Sequence, residues 1–162
     1  GRMFNWDQRA AVTPDNAIVT FTWVFDSQTG VYRNIWKRYS LDGGASWSAP
    51  EDIGFADQPS HPAIFADGRL VLAWVDRFGM QAIRAQSTSS YKEPFDAAKE
   101  VVLYLSPVNQ PGETGLGDTL GEMNRWAYGM PFAHPLPNGD SLLVYYAGNS
   151  TGTAINWARI AD

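Results

Sequence analysis

The segment YSLDGGASWSAP, which runs from Tyr39 to Pro50, combines a tight turn with an aromatic residue just after it. Its centre, Asp42-Gly43-Gly44, predicts a hairpin turn, because an Asp side chain accepts hydrogen bonds from nearby backbone and glycine tolerates a positive φ. A chance Asp-Gly hairpin is the alternative interpretation, since this dipeptide is common in turns. In either case the segment predicts two strands joined at this point.

Five residues of the segment also follow a longer spacing, Ser-x-Asp-x-Gly-x-Ser/Thr-Trp. They are Ser40, Asp42, Gly44, Ser46 and Trp47. In this pattern the carboxylate closes the turn onto backbone N–H groups, and the aromatic ring covers the hairpin. The pattern resembles the Asp-box, or BNR repeat, of sialidases and related β-propellers. We therefore expect these five residues to have a structural role.

Composition favours β structure and excludes several classes of protein. Of the 162 residues, 14% are aromatic and 18% are charged, and aromatic side chains suit a half-buried sheet surface. The net charge of −5 and the absence of a clustered basic face argue against a nucleic-acid partner. The chain has no cysteine and no apolar run as long as a membrane span. We expect Gly1-Arg2 to be a cloning remnant ahead of Met3.

Three segments repeat one plan of strand, turn, apolar strand, loop and polar-alternating strand. Their turns lie at residues 14–16, 66–68 and 137–139, and the apolar strands that follow are residues 17–25, 69–75 and 141–146. Repeats of this size are typical of propeller blades. We predict a single all-β domain over residues 1–162, built from four-stranded antiparallel blades at about 6–54, 55–105 and 129–162. A glycine-rich insertion occupies residues 106–128.

The resemblance to sialidase-like propellers extends over nearly the whole chain. The run from Trp126 to Gly148 is similar to the last blade of bacterial sialidase-like proteins. This resemblance implies that the chain corresponds to the C-terminal three blades of a six-bladed ring. The third blade ends after its third strand, and three blades are too few to close a ring. We therefore expect a homodimer that completes a six-bladed propeller.

The same resemblance implies which residue types would form a ligand site. Sialidases of this family use three arginines to bind the substrate carboxylate, an Asp as acid/base, and a Tyr activated by a Glu as nucleophile. On the predicted ligand face, opposite the Asp42 hairpin, the candidate ligand-binding residues are Asp7, Arg9, His61, Arg77, Arg125 and Trp126. The weaker catalytic candidates are Asp76, Glu122 and Tyr128. Several residues of a full catalytic set would have to come from outside this chain.

Each candidate has an ordinary structural alternative. Arg9 binds an anionic sugar or forms a salt bridge with Asp7 or Glu51. Asp76 and Arg77 are a ligand-binding pair or an ion pair within their loop. Glu122 activates Tyr128 or Tyr145, or packs within the insertion. Trp74 and Tyr145 occupy equivalent positions, and we expect them, like Trp6, Trp23, Trp36 and Trp157, to pack in the core.

These observations favour a glycan-recognising sialidase-like propeller. The alternatives are an exo-glycosidase of sialidase type whose site a second subunit completes, and a non-enzymatic protein-interaction scaffold. No spacing of His, Cys or carboxylates indicates a metal site, and no glycine-rich phosphate loop precedes a helix. We therefore predict a carbohydrate ligand, no cofactor, no metal and no nucleic-acid or membrane partner.

Overall fold

The structure is a computed structural model and describes residues 1–107, 127–149 and 151–161. Within these ranges the chain is all-β, which confirms the predicted class. The strands are β1 (Met3–Val12), β2 (Ile18–Asp26), β3 (Val31–Ser40), β4 (Glu51–Asp52), β5 (Gln58–Pro59), β6 (Ala63–Ile64), β7 (Leu70–Asp76), β8 (Ala82–Thr88), β9 (Val101–Leu105), β10 (Tyr128–Pro135), β11 (Ser141–Asn149) and β12 (Gly152–Ile160). A short 3-10 turn at Ala97–Lys99 precedes β9.

The described strands form three antiparallel sheets in chain order. The first sheet has the order β1-β2-β3-β4, and the third has the order β10-β11-β12. The second has the order β5-β7-β8-β9, with β6 also paired to β7. Its predicted first strand is therefore two short strands, β5 and β6, on either side of residues 60–62. Within the described residues, the first sheet thus has four strands, the second has five and the third has three.

The Ser60 backbone N–H donates to the Ala73 carbonyl at 2.8 Å, and the Ser60 hydroxyl accepts from the Ala73 N–H at 3.0 Å. These bonds hold the gap between β5 and β6 against β7, so the two short strands together form one edge of the sheet.

The second sheet lies between the other two. Successive apolar side chains along its strands point in opposite directions, one toward the first sheet and the next toward the third. On β7, Leu72 and Trp74 pack with Phe21 and Ile35 of the first sheet. The residues of β7 that alternate with these, such as Ala73 and Val75, pack on the opposite side toward the third sheet, where they contact core side chains of β11. The fully buried side chains Val19, Phe21, Ile35, Leu70, Leu72, Trp74, Val75, Ile83 and Leu143 lie in these two layers. Trp74 and Tyr145 are core residues, as predicted.

The third sheet has an outer face that nothing in the described chain covers. On β12, Ile155 is 74% exposed and Trp157 is 70% exposed. The prediction that Trp157 is a core residue is therefore wrong for this chain. Its strand has the alternation of a buried sheet, but no further sheet of the described residues lies against it.

The hairpin at Asp42 connects β3 to β4. The Asp42 carboxylate accepts from the Ser46 backbone N–H at 2.8 Å and from the Ser40 hydroxyl at 2.7 Å. The Trp47 indole N–H donates to the Gly44 carbonyl at 3.1 Å, and Gly43 has a φ of 70°. Hydrogen bonds from Ser46 lower the pKa of Asp42 to about 2, so the carboxylate is ionised where it closes the turn.

Candidate functional site

The first strands of the three sheets meet at one point. The Gln58 side-chain amide, on β5, donates to the Asp7 carboxylate of β1. The same amide nitrogen lies 3.7 Å from the Met130 sulfur on β10. Gln58 is buried, while Met130 is 56% exposed. One amide of the second sheet therefore contacts side chains from both other sheets, at the edge of the surface.

Two of these first strands carry the same irregularity. The pairing of β1 with β2 shifts between Trp6 and Arg9, and that of β10 with β11 shifts between Gly129 and Phe132. Asp7, in the first shift, has a φ of 45°, and Met130, in the second, has a φ of 49°. Such bulges redirect side chains near functional sites. Here they bring Asp7 and Met130 to the Gln58 amide.

Arg77 lies beneath this point and is 6% exposed. Its Nη1 donates to Asp57 Oδ1 at 2.8 Å, and its Nη2 donates to Gln58 Oε1 at 2.7 Å. The Arg77 backbone N–H also donates to Asp57 Oδ2 at 3.0 Å. The guanidinium carbon lies 5.8 Å from the centre of the Trp23 ring. Asp57 and Gln58 thus fix the guanidinium in one orientation.

Burial shifts the titration of the groups around Arg77. Desolvation raises the pKa of Asp57 to about 6, and the charge of Arg77 opposes this rise. Burial also raises the pKa of the Tyr128 and Tyr146 hydroxyls, and Arg77 opposes the rise at both. Asp57 therefore titrates near neutrality, whereas both tyrosines keep their protons and can donate hydrogen bonds.

Tyr146 reaches this region across Gly129. A Cβ placed on Gly129 would lie 2.8 Å from the Tyr146 hydroxyl oxygen, and the two residues are paired across β10 and β11. The missing side chain at Gly129 therefore allows the Tyr146 hydroxyl to hydrogen-bond Arg77. We call the set Asp7, Asp57, Gln58, Arg77, Tyr128 and Tyr146 the Arg77 cluster.

The more exposed residues around the cluster are those that the sequence indicated. Arg9 lies 3.6 Å from the Asp7 carboxylate, which matches the salt bridge offered as its structural alternative. The His61 ring stacks on Phe132 with centroids 4.9 Å apart. Partial burial and the charge of Arg9 lower the pKa of His61. His61 is therefore a neutral imidazole at pH 7 beside an exposed aromatic ring.

Asp76 and Arg77 do not pair with each other, so the predicted ion pair within their loop is wrong. The Asp76 carboxylate accepts from the backbone N–H groups of Gly79 and Met80 at 2.8 and 3.0 Å, and from Arg84 Nη1 at 3.0 Å. Arg77 pairs with Asp57 instead. Asp76 closes the β7–β8 turn because a carboxylate there can accept the free backbone donors.

Tyr128 lies at the start of β10, so its predicted place in the insertion is wrong. Its raised pKa is opposite to that of an activated nucleophile, and its catalytic role stays a prediction. The other insertion candidates, Glu122, Arg125 and Trp126, lie outside the described residues.

The sequence did not single out Asp57 or Tyr146 as site residues. Asp57 follows the short β4 strand in a stretch without periodicity, so its burial depends on the neighbouring sheets. Tyr146 has a signal in the sequence, since it falls one residue beyond the position shared by Trp74 and Tyr145. The small residue opposite it, Gly129, is visible only once the strand register is known.

The described residues include no cluster of three or more His, Cys, Asp or Glu side chains that could hold a metal ion. Over the same ranges, no helix has the length and apolar character needed to cross a membrane.

Three solved structures are similar to this chain. A protein of unknown function from Dyadobacter fermentans has a TM-score of 0.72 at 24% identity, over 99% of this chain and 39% of its own. An α-L-arabinanase from Penicillium chrysogenum, complexed with arabinobiose, has a TM-score of 0.56 at 18% identity, over 97% of this chain and 46% of its own. A mutant levansucrase from Bacillus subtilis has a TM-score of 0.53 at 15% identity, over 91% and 42%.

No family model matches the sequence, and no curated protein matches it. The chain spans about two fifths to just under half of the length of the solved structures it matches. At these identities the likeness shows the fold alone. The chain thus has an all-β fold whose sheets resemble those of propeller glycosidases.

Proposed function

We propose that this chain is part of a glycan-recognising, sialidase-like propeller and that the Arg77 cluster is its ligand site. The three sheets are then three blades, half of a six-bladed ring. The observation that carries the proposal is the meeting of the three first strands at Gln58. The blades of a propeller surround a central channel, so first strands that meet at one point support a site that faces the ring centre.

The chemistry of the cluster suits a polyhydroxylated ligand. Asp7 and Arg9 at the surface supply an acceptor and a donor, with side chains 35% and 25% exposed. Beneath them, the Gln58 amide and the Tyr146 hydroxyl supply neutral hydrogen-bonding groups. Arg77 holds this layer in place by its hydrogen bonds to Gln58 and Tyr146, and Asp57 fixes the guanidinium. A sugar bound here is recognised by a few fixed polar groups, as is usual for small-ligand sites.

The comparison with a sialidase site favours binding over catalysis. Within the described residues, Arg9 and Arg77 are the arginines of this region, and each already faces a carboxylate. A carboxylate clamp in a sialidase needs three arginines directed at one space. Arg84, the other strand arginine near the ligand face, pairs with Asp76 and Glu100 instead.

The proposal is tested by calorimetric titration with 3′-sialyllactose and lactose, alongside a fluorogenic sialoside and a panel of aryl glycosides. We expect saturable binding without turnover above that of a Tyr128→Phe variant. Tyr146→Phe removes one hydroxyl and should weaken binding about fivefold. Asp67→Asn, at the opposite end of the second sheet, should bind as the wild type does. Absence of binding to every sugar contradicts the proposal, and turnover lost in Tyr128→Phe supports the exo-glycosidase alternative.

We also propose that a second copy covers the exposed outer faces and completes the ring. The outer face of the third sheet is apolar, with Ile155 and Trp157 exposed, and Phe4 is 50% exposed on the first sheet. Contact of the third sheet of each copy with the first sheet of the other makes two equivalent interfaces and a closed dimer. Apolar patches of this kind mark interaction sites.

Light scattering distinguishes the possible occupants of these faces. A dimer has a mass of about 36 kDa, twice the 17.9 kDa of the chain. A mass of 17.9 kDa at micromolar concentration would contradict the dimer.

A further inference from the structure

A second cleft, separate from the Arg77 cluster, lies between the first and second sheets. Its volume is about 460 Å³, and none of its lining residues belongs to the cluster. Such a volume is within the range of small-molecule sites. Phe55, Phe78 and Phe95 provide its aromatic lining, and Asp76, Arg84, Gln86 and Glu100 provide its polar lining.

The polar side chains of the cleft are joined in one network. Arg84 donates through Nε and Nη2 to Glu100 Oε1, at 3.0 and 2.5 Å. Gln86 Nε2 donates to the second oxygen of Glu100 at 2.8 Å. Arg84 Nη1 also donates to Asp76 at 3.0 Å. Four side chains are thus fixed side by side, with donors and acceptors alternating across the cleft.

The strand geometry explains why these side chains share one surface. Arg84 and Gln86 are two residues apart on β8, so they project from the same face of the second sheet. Arg84 lies over the Trp74 ring at 5.2 Å, which supports the guanidinium from below. Phe55 stacks on the same Trp74 ring at 4.1 Å, and Phe78 stacks on Tyr32 at 5.8 Å. Phe55 is therefore supported by a ring of the second sheet, and Phe78 is supported by a ring of the first sheet.

We propose that this cleft is a binding site for a neutral saccharide unit. The polar network disfavours a purely apolar ligand, since its hydrogen-bonding groups would lose contact with water. The two carboxylates outnumber the single guanidinium, which disfavours an anionic ligand. Both carboxylates already accept hydrogen bonds from Arg84 and from amide groups, which weakens the capture of a cation.

A sugar ring suits both the polar network and the aromatic walls of the cleft. Its hydroxyl groups can both donate to the carboxylates, whose oxygens have further lone pairs, and accept from Arg84 and Gln86. Its C–H faces can pack against the rings of Phe55 and Phe78, which gain by covering apolar surface. The residues that line this cleft are all different from those of the Arg77 cluster.

The test is calorimetric titration of the intact chain with cellobiose, maltose and arabinobiose, with 3′-sialyllactose as the anionic probe. We expect at least one neutral disaccharide to bind with a Kd on the order of 1 mM. Phe78→Ala removes one aromatic wall and should weaken that binding about tenfold. Glu100→Gln should also weaken it about tenfold, by removing a charged acceptor.

Matched controls carry the same chemical changes outside the cleft. Phe4→Ala and Glu93→Gln alter exposed residues and should bind the neutral sugar as the wild type does. Tyr146→Phe should also leave this binding unchanged, which separates the cleft from the Arg77 cluster. Phe78 is at the partly exposed rim, so its variant provides a test even if Glu100→Gln fails to fold.

The inference is overturned if no neutral disaccharide binds, or if binding persists unchanged in both Phe78→Ala and Glu100→Gln. Binding of a neutral sugar that is lost in Tyr146→Phe would also overturn it, because the sugar would then occupy the Arg77 cluster.

Discussion

Replacing Asp57 with Asn should change how the stability of the protein depends on pH. Asp57 is completely buried, and desolvation raises the pKa of its carboxyl group to about 6, from an ordinary value of 3.8. Below about pH 4 the group is protonated in the folded and unfolded chains alike. Between about pH 4 and 6 only the folded chain retains the proton, so raising the pH favours unfolding. Above about pH 6 the group is ionised in both states.

The size of the effect follows from the pKa difference. The folded pKa is about two pH units above the ordinary one, and each unit corresponds to about 1.4 kcal/mol. Asp57 should therefore reduce the free energy of unfolding by about 3 kcal/mol between pH 4 and pH 7. Asn keeps the size and a hydrogen-bond acceptor for Arg77 but does not titrate, so Asp57→Asn should lose this decrease.

The assay is urea denaturation of the wild type and of Asp57→Asn at half-unit steps between pH 4 and pH 7. Asp67→Asn is the control, because hydrogen bonds from Arg69 lower the pKa of that carboxyl group. Its wild-type carboxylate gives stability that is lost only as the pH falls below about 4, so Asp67→Asn should differ from the wild type by nearly the same amount at every pH of the assay. If the stability difference between the wild type and Asp57→Asn is the same at every pH, the argument for a buried Asp57 carboxyl is refuted.

Three other changes test separate parts of the structure. Gly129→Ala should displace the Tyr146 ring and weaken sugar binding by several-fold, and it should also lower the Tm, because Gly129 has a φ of 157° that residues with a side chain rarely adopt. Calorimetry and thermal melting measure the two effects, and unchanged binding would contradict this prediction. Asp42→Ala should lower the Tm and speed hydrogen exchange at the Ser46 amide, and a Tm equal to that of the wild type would refute the structural role of the turn. Trp157→Ser should shift the mass found by light scattering from dimer to monomer, whereas an unchanged dimer would place the interface elsewhere.

The strands of this protein are largely readable from its sequence. The apolar run before Asp26 and the one that begins at Leu70 have the length and composition of buried strands, and turn residues bound both. The Asp42 turn follows from local chemistry, since the hydrogen bonds that Asp42 and Trp47 form join residues at most four positions apart. Features of this kind depend on neighbours in the chain and need no knowledge of the tertiary structure.

The candidate site was only partly predictable, because its contacts join distant segments. Asp7 and Gln58 are 51 positions apart, and Arg77 pairs with Asp57 rather than with the adjacent Asp76. Adjacent residues on a strand end point to opposite sides, so closeness in sequence misled the assignment of the Asp76–Arg77 pair. Burial of Asp57 depends on the packing of three sheets and has no local pattern.

The exposure of Trp157 has the same kind of cause. An apolar residue on an alternating strand is buried only if another sheet lies against that face. In the described chain the third sheet has a neighbour on one side alone, so the alternation correctly predicted the strand but not the burial.

The central claim, that the Arg77 cluster binds a glycan, is tested most directly by NMR titration of isotope-labelled protein with 3′-sialyllactose. Tyrosine ring signals and the arginine Nε–H signals report on the cluster, and the Trp47 indole N–H reports on the opposite end of the sheets. We expect saturable shifts of the Tyr146 and Arg77 signals while the Trp47 signal stays unchanged. Signals of Tyr146 and Arg77 that do not move at saturating sugar, or shifts confined to Trp47, would contradict it.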